Sequence, residues 1–125
     1  GTGVLAIAAK KMGASTVCGV DIEDWCLENA KENASKNRIL DISFSTNSIE
    51  SITTNFDVLL ANINRNVLLE HLPKYATLLN KNGVLLLSGF HENDVEALID
   101  LAQNSGLRLE GKTEKAGWIC LKFLI

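Results

Sequence analysis

Residues 1–22 read GTGVLAIAAKKMGASTVCGVDI, which is a glycine-rich turn followed by a helix and a short strand that ends in an acid. The glycines let the backbone turn sharply before residues 2–12, where apolar side chains recur at helical spacing. Gly13 ends that pattern. The β-branched run that follows is typical of a strand buried in a parallel sheet, and Asp21 stands at its end. This order of elements is typical of an α/β sheet.

The rest of the chain repeats the alternation of helices and strands. Helical spacing predicts helices at residues 23–36, at about residues 66–79 and at residues 93–104, with Asn37 as the left-handed stop of the first. Apolar runs predict strands at DISFST (41–46) and FDVLLANI (56–63), and NKNGVLLLSG (80–89) predicts a turn that leads into a buried strand. LRLEGKTE (107–114) and GWICLKFLI (117–125) predict an antiparallel hairpin joined by Lys115 and Ala116. The expected fold is a mostly parallel α/β sheet with a C-terminal antiparallel hairpin.

Composition excludes several classes of protein. A chain of 125 residues that is 46% hydrophobic can build one domain with its own core. A net charge of −3 provides no basic field for a polyanion, so we expect no direct nucleic-acid partner. No apolar run approaches the roughly 18 residues of a membrane span, and we expect no membrane partner. The three cysteines, Cys18, Cys26 and Cys120, predict neither disulfides nor a metal site; we expect them to pack as apolar residues in a reducing cytoplasm.

Polar and flexible residues collect at the carboxyl ends of the predicted strands, where open α/β sheets bind ligands. They are the turn at residues 1–3, Asp21 with Ile22, Asn47 with Ser48, residues 62–64 and residues 88–91. Glycines allow close backbone approach, and an acid about twenty residues later can accept hydrogen bonds from ribose hydroxyls. The turn also satisfies the G-x-G-x-x-A dinucleotide fingerprint, so an NAD-binding oxidoreductase domain is one alternative.

Four motifs discriminate further: GTGVLAIAAKKMGA (1–14), GVDIE (19–23), FDVLLANI (56–63) and LLNKNGVLLLSG (78–89). On these the chain resembles the class I S-adenosylmethionine-dependent methyltransferases, and specifically the PrmA type, which methylates a ribosomal large-subunit protein. The first motif is similar to the second half of the family's D-x-G-x-G-S/T-G loop and its helix. ANI (61–63) is similar to the asparagine motif with which this class methylates amides and amines. The resemblance covers essentially the whole chain.

The resemblance implies a role for each matching residue. Gly1 and Gly3 would wrap the amino-acid end of S-adenosylmethionine, Asp21 would hold its ribose, and Ile22 would pack on its adenine. Asn62 would contact the methionine portion and border the methyl group, which makes it the candidate catalytic residue. The implied substrate is an amine of a ribosomal large-subunit protein, methylated in the cytoplasm without a metal ion. We expect these residues to converge on one pocket.

Simpler structural roles compete at several positions. Asp21 is also placed to cap the helix that follows it, and Asn62 to serve as a turn residue. His91 follows a buried strand, where it is either a proton acceptor or a solvated loop residue. Asn47 and Ser48 either meet the adenine edge or are ordinary surface-loop residues. Trp25 is either a partly exposed packing residue or a contact to a partner or a further segment, and His71 is expected to be structural. A non-catalytic α/β interaction module is the third functional alternative.

The family's first strand lies at the centre of the order 3-2-1-4-5-7-6, between the strands that end here at Asp21 and Asn62. The chain begins after that strand. We therefore expect residues 1–125 to be an S-adenosylmethionine-binding methyltransferase domain truncated at its N-terminus. Two interior strand edges would then be unpaired, which predicts either a gap filled by another chain or segment, including self-association, or a rearranged sheet in which the two strands pair directly.

Overall fold

A computed structural model describes all residues, Gly1–Ile125, and they form two compact units, Gly1–Ile52 and Thr53–Ile125. The first unit contains α1 (Val4–Lys11), β1 (Val17–Val20), α2 (Asp24–Lys36), β2 (Ile42–Ser45) and a 3-10 turn (Ile49–Ser51). The second contains β3 (Phe56–Asn62), α3 (Arg65–Thr77), β4 (Leu79–Phe90), a 3-10 turn (Glu92–Asp94), α4 (Val95–Asn104), β5 (Arg108–Lys115) and β6 (Trp118–Leu124). None of the helices is long and apolar enough to cross a bilayer.

The first unit is built on a two-stranded parallel sheet, in which Val17 pairs with Ile42 and Val20 with Ser45. Gly19 lies opposite Phe44, and a Cβ at Gly19 would be 2.6 Å from the Phe44 ring. The ring therefore occupies the space that any other residue would need. The buried apolar side chains of this unit are Ile7, Val17, Cys26, Ala30 and Ala34.

The second unit is a four-stranded sheet in the order β3-β4-β6-β5. β3 and β4 are parallel, whereas the β4–β6 and β5–β6 pairs are antiparallel. Alternate side chains of β4 and β6 point into the core, as the two-residue period of a strand requires. The largest fully buried side chains of the chain are all in this unit: Leu68, Leu72, Leu85, Leu87, Phe90, Leu98, Ile119, Leu121 and Phe123.

The predicted elements are confirmed in type, and most of their ends differ by one or two residues; the third helix, predicted to run to residue 79, ends at Thr77. Three further differences concern turns. The ladder between β3 and β4 jumps from the pair Phe56–Leu79 to the pair Val58–Val84, so the predicted turn at residues 80–83 interrupts a strand that begins earlier than expected. The hairpin turn is Ala116–Gly117, both with positive φ, rather than Lys115–Ala116. Asn37 is not left-handed; Arg38, at φ 59°, is the residue that ends α2.

The strands that end at Asp21 and Asn62 belong to different sheets. β1 pairs with β2 alone and β3 with β4 alone, so each has one edge without a ladder partner. The expected direct pairing of these two strands is therefore not observed. Unpaired strand edges expose rows of backbone N–H and C=O groups that other strands can bind.

Candidate functional site

The glycine turn of the first unit is fixed by packing against α2. Gly3 has a φ of 77°, precedes α1 as its N-cap and provides no side-chain cap. A Cβ at Gly3 would lie 2.9 Å from the Cβ of Ala30, so only glycine fits. Asn33 Nδ2 donates a hydrogen bond of 3.0 Å to the Thr2 carbonyl and holds the turn from the same helix. The first N–H groups of α1 therefore remain available to a polar or negative ligand group.

Asp21 directly follows β1, and its N–H donates to the Ser45 carbonyl at 3.1 Å. Its carboxylate accepts hydrogen bonds from the Glu23 N–H at 3.1 Å and from the Gly1 amino group. Glu23 is the N-cap residue of α2 and has no side-chain cap, so Asp21 holds the start of the helix through the Glu23 N–H without being its N-cap. The structure thus places Gly1 beside Asp21, and their role toward a cofactor stays a prediction.

The ionised form of Asp21 is favoured. Partial burial acts to raise the pKa of Asp21, but hydrogen bonds from the Gly1 ammonium and the Glu23 N–H outweigh it, and the pKa lies below its ordinary value. A carboxylate has about four acceptor positions, so these two donors leave room for hydroxyl donors. The side chain keeps 30% of its surface exposed.

Two large apolar residues, Ile22 and Trp25, follow Asp21 within four positions in the sequence. Ile22 is 74% exposed and Trp25 is 66% exposed, although both are large apolar residues. Exposed apolar side chains next to a hydrogen-bonding carboxylate are suited to a ligand that joins a flat ring to a sugar.

In the second unit, Asn62 is the last residue of β3 and lies opposite Ser88 of β4. Asn62 Nδ2 donates a hydrogen bond of 2.9 Å to Ser88 Oγ, which fixes the amide and leaves its Oδ1 as an acceptor. Gly89, at φ 97°, has the Ile63 backbone against it: an added Cβ would lie 2.7 Å from the Ile63 carbonyl oxygen. Asn62 is therefore held by a close strand-to-strand contact and is not a free turn residue.

Asn64 has a structural role. Its Oδ1 accepts the Val67 N–H at 3.1 Å and caps α3. The Asn64 oxygen is thus engaged by α3, whereas Asn62 Oδ1 has no hydrogen-bond partner in the chain.

A depression of about 450 Å³ opens beside Asn62 in the second unit. Its lining is uncharged and consists of Asn62, Ile63, Asn64, Ser88, Gly89 and Trp118. The sequence analysis did not single out Trp118. It placed the hairpin turn one residue too early, so Trp118 was not recognised as the residue that directly follows the turn. A large aromatic residue directly after a turn glycine was the available signal.

His91 does not line the depression. Its Nδ1 donates a hydrogen bond of 2.9 Å to the Gly117 carbonyl, and its ring stacks on the Trp118 indole with centroids 4.0 Å apart. A ring that donates from Nδ1 keeps Nε2 as its acceptor nitrogen, so this hydrogen bond does not decide between the two roles of His91.

The structure also places the remaining candidate residues. The Ser48 carbonyl accepts from Ser51, and Asn47 is exposed. The His71 ring lies edge-on to Tyr75 with centroids 6.0 Å apart, as its expected structural role requires. Cys26 is buried, but Cys18 is exposed, so the expectation that all three cysteines pack in the interior is wrong for Cys18. No three His, Cys, Asp or Glu side chains are grouped to hold a metal ion.

The fold is that of the Rossmann-like methyltransferases. The crystal structure of ribosomal protein L11 methylase from Lactobacillus delbrueckii subsp. bulgaricus superimposes with a TM-score of 0.95 at 32% identity, over 98% of this chain and 65% of that one. Magnesium protoporphyrin IX methyltransferase from Synechocystis, solved with bound S-adenosylmethionine, shares the fold at 18% identity with a TM-score of 0.78, over 99% of this chain and 65% of its own.

The chain belongs to the ribosomal protein L11 methyltransferase (PrmA) family, whose sequence profile matches residues 1–124. It is 42% identical to the ribosomal protein L11 methyltransferase of Porphyromonas gingivalis over 98% of this chain and 43% of the relative. It is 36% identical to that of Phocaeicola vulgatus over 100% of this chain and 45% of the relative. The chain thus spans less than half the length of these two relatives.

Proposed function

We propose that these residues are the S-adenosylmethionine-binding catalytic part of a longer methyltransferase that modifies amines of ribosomal protein L11. The family match over residues 1–124 carries this proposal. The relatives' names supply the substrate, and the share of their length that this chain spans supports a longer protein. We further propose that the reaction takes place in the cytoplasm.

The residues of the first unit fit the cofactor's polar and flat parts. Asp21 retains acceptor positions for two ribose hydroxyls. Ile22 offers an exposed apolar face to the adenine. Gly1 has open space around it, and Gly3 gives the turn before α1, where uncapped N–H groups suit a carboxylate. In the second unit, Asn62 would bind the methionine portion.

When bound, S-adenosylmethionine supplies an electrophilic methyl group on a sulfonium. The chain's own contribution is to align an amine nitrogen and to exclude water. Asn62 Oδ1 accepts an N–H of the neutral amine and so directs its lone pair, while the bond to Ser88 keeps the amide from rotating. The uncharged lining of the depression offers no carboxylate to stabilise an ammonium ion, which favours the neutral nucleophile.

The unpaired edges of β1 and β3 support a proposal about association. We propose that a further strand pairs with these edges, either from a longer protein or from a second copy of the chain. Light scattering tests this: the isolated chain should self-associate. A monodisperse monomer that binds the cofactor tightly would contradict it.

Calorimetric titration with S-adenosylmethionine and with NAD tests the proposed function. We expect binding of the former only, and Asp21→Asn should weaken it at least about tenfold, because a charged hydrogen-bond acceptor contributes about 1.5–3 kcal/mol. Asp41→Asn, which removes an exposed carboxylate in the same unit, is the matched control and should leave binding unchanged. Tighter binding of NAD would indicate the oxidoreductase alternative. Unchanged binding in Asp21→Asn would contradict Asp21 as the ribose acceptor, and a folded protein that binds neither ligand would favour the non-catalytic module.

A further inference from the structure

Trp118 is an aromatic residue at the rim of the depression beside Asn62, and 53% of its surface is exposed. Trp118 thus offers a flat apolar surface at the rim of the depression. One face is covered by the His91 ring, at a centroid distance of 4.0 Å and an interplanar angle of 33°. His91 has no role in the proposed catalytic function.

His91 is fixed at both its side chain and its backbone. Nδ1 donates to the Gly117 carbonyl at 2.9 Å, within the turn that carries Trp118. The His91 N–H donates to Asp94 Oδ2 at 3.4 Å, and the Asp94 carboxylate pairs with Arg65 Nε at 3.3 Å. The histidine therefore ties the start of α4 to the hairpin turn between β5 and β6.

We infer that His91 is a positioning residue that holds the Trp118 indole as a wall of the depression, and that this wall receives the alkyl stem of the substrate amine. The second part rests on the proposed function, in which Asn62 borders the methyl group. A substrate side chain that reaches Asn62 has to enter the depression that Trp118 lines. Trp118 is the only aromatic residue in that lining, and a flat indole suits unbranched methylene groups.

Tryptophan fluorescence without cofactor or substrate tests the positioning role. In a Trp25→Phe background the remaining emission comes from Trp118, since the chain has two tryptophans. His91→Ala should increase acrylamide quenching about twofold and lower the anisotropy, because the stacked ring and the turn hydrogen bond are lost together. His91→Phe keeps a ring, and His91→Asn keeps a donor near the position of Nδ1; each should give part of the effect. Unchanged quenching in His91→Ala, in a variant whose circular dichroism shows a folded chain, would overturn the positioning role.

Steady-state kinetics with a lysine-containing peptide test whether the Trp118 indole binds the alkyl stem of the substrate amine. We expect Trp118→Ala and His91→Ala to raise KM for the peptide about 3- to 10-fold while kcat changes less than about twofold, since ground-state and transition-state binding are lost equally. The affinity for S-adenosylmethionine should not change. A fall in kcat with KM unchanged would instead make His91 a participant in the chemistry and overturn the inference, as would an unchanged KM. Absence of methyl transfer by the unsubstituted protein would contradict the proposed function and the wall, whereas the fluorescence result stands by itself.

Discussion

The two units of the chain differ in how they bury apolar surface. The second unit encloses large side chains such as Leu85, Leu121 and Phe123, which are 0% exposed. The buried residues of the first unit are small or only nearly buried, such as Ala30 at 5% and Ile7 at 7%. Free energy of burial scales with the apolar area removed from water, so most of the chain's stability belongs to the second unit.

The first unit also carries most of the predicted cofactor residues. Its large apolar residues Val4, Leu5, Val20, Ile22 and Trp25 are 41–74% exposed, and the predicted residues Gly1, Gly3, Asp21 and Ile22 belong to the same segment. A segment with few buried contacts opens readily, which is common for ligand-binding elements. The comparison therefore predicts a stable second unit and a first unit that a ligand stabilises.

Leucine truncation gives the largest expected difference between the units. Leu85→Ala should lower the free energy of unfolding by about 2–5 kcal/mol, because it leaves a cavity in a fully packed core. Leu5→Ala, at a residue that is 41% exposed, should cost less than about 1 kcal/mol. Denaturant titration measures both. Equal losses would show that the first unit is packed as tightly as the second.

Glycine substitutions at the two ends of α1 test whether the turn is fixed by packing. Both Gly3 and Gly13 have positive φ, but only Gly3 has Ala30 in the place of a side chain. Gly13→Ala should cost about 1–2 kcal/mol for the backbone alone, and Gly3→Ala at least about 1 kcal/mol more. The difference in unfolding free energy is the measurement. If the two costs were the same, contact with α2 would not be what requires glycine at the turn.

Alkaline titration reports on the second unit through its single tyrosine. Burial raises the pKa of Tyr75 to about 12, so the ultraviolet absorbance of tyrosinate should rise well above the pH expected for a free phenol. The neutral phenol's contribution to stability is complete below about pH 10 and is lost as the pH rises towards 12. Urea-unfolded protein is the control and should titrate near 10. A folded protein that titrates there too would contradict the buried position.

Acid titration reports on the first unit and gives the smallest expected effect. The pKa of Asp21 lies below its ordinary value of 3.8, so its contribution to stability is present above that pH and is lost as the pH falls through the folded-state pKa. Asp21→Asn should therefore flatten the loss of stability between about pH 5 and pH 3. Denaturant midpoints at several pH values measure the slope. An unchanged slope would mean that the Gly1 and Glu23 donors do not favour the carboxylate.

Elements with a strong local signal were predictable from the sequence. Apolar runs such as FDVLLANI and helical spacing such as VEALIDLAQN gave the right type of element, because burial requires those periods. Asp21 was placed at the end of its strand for the same reason. The amide–hydroxyl bond from Asn62 to Ser88 was not predictable, since it depends on the register between β3 and β4.

Turn details were harder to predict, because neighbouring residues compete for one conformation. Asparagine tolerates the left-handed region better than arginine, yet Arg38 adopts it and Asn37 does not. Asn37 Nδ2 instead donates to the Asn33 carbonyl at 2.8 Å, which keeps Asn37 in the last turn of α2. The hairpin turn was predicted at Lys115–Ala116 and lies at Ala116–Gly117. This shift of one residue mattered more, because Trp118 was then not recognised as the residue next to the turn.

Hydrogen exchange with and without S-adenosylhomocysteine measures whether the second unit is the stable scaffold and the first is ordered by the cofactor. Without ligand, we expect the amides of α1 and β1 to exchange at least about tenfold faster than those of β4 and β6. With ligand, residues 1–22 and residues 62–64 should slow, while β4 and β6 change little. Equal exchange in both units without ligand, or protection that omits residues 1–22, would show that the two units do not divide stability and binding in this way.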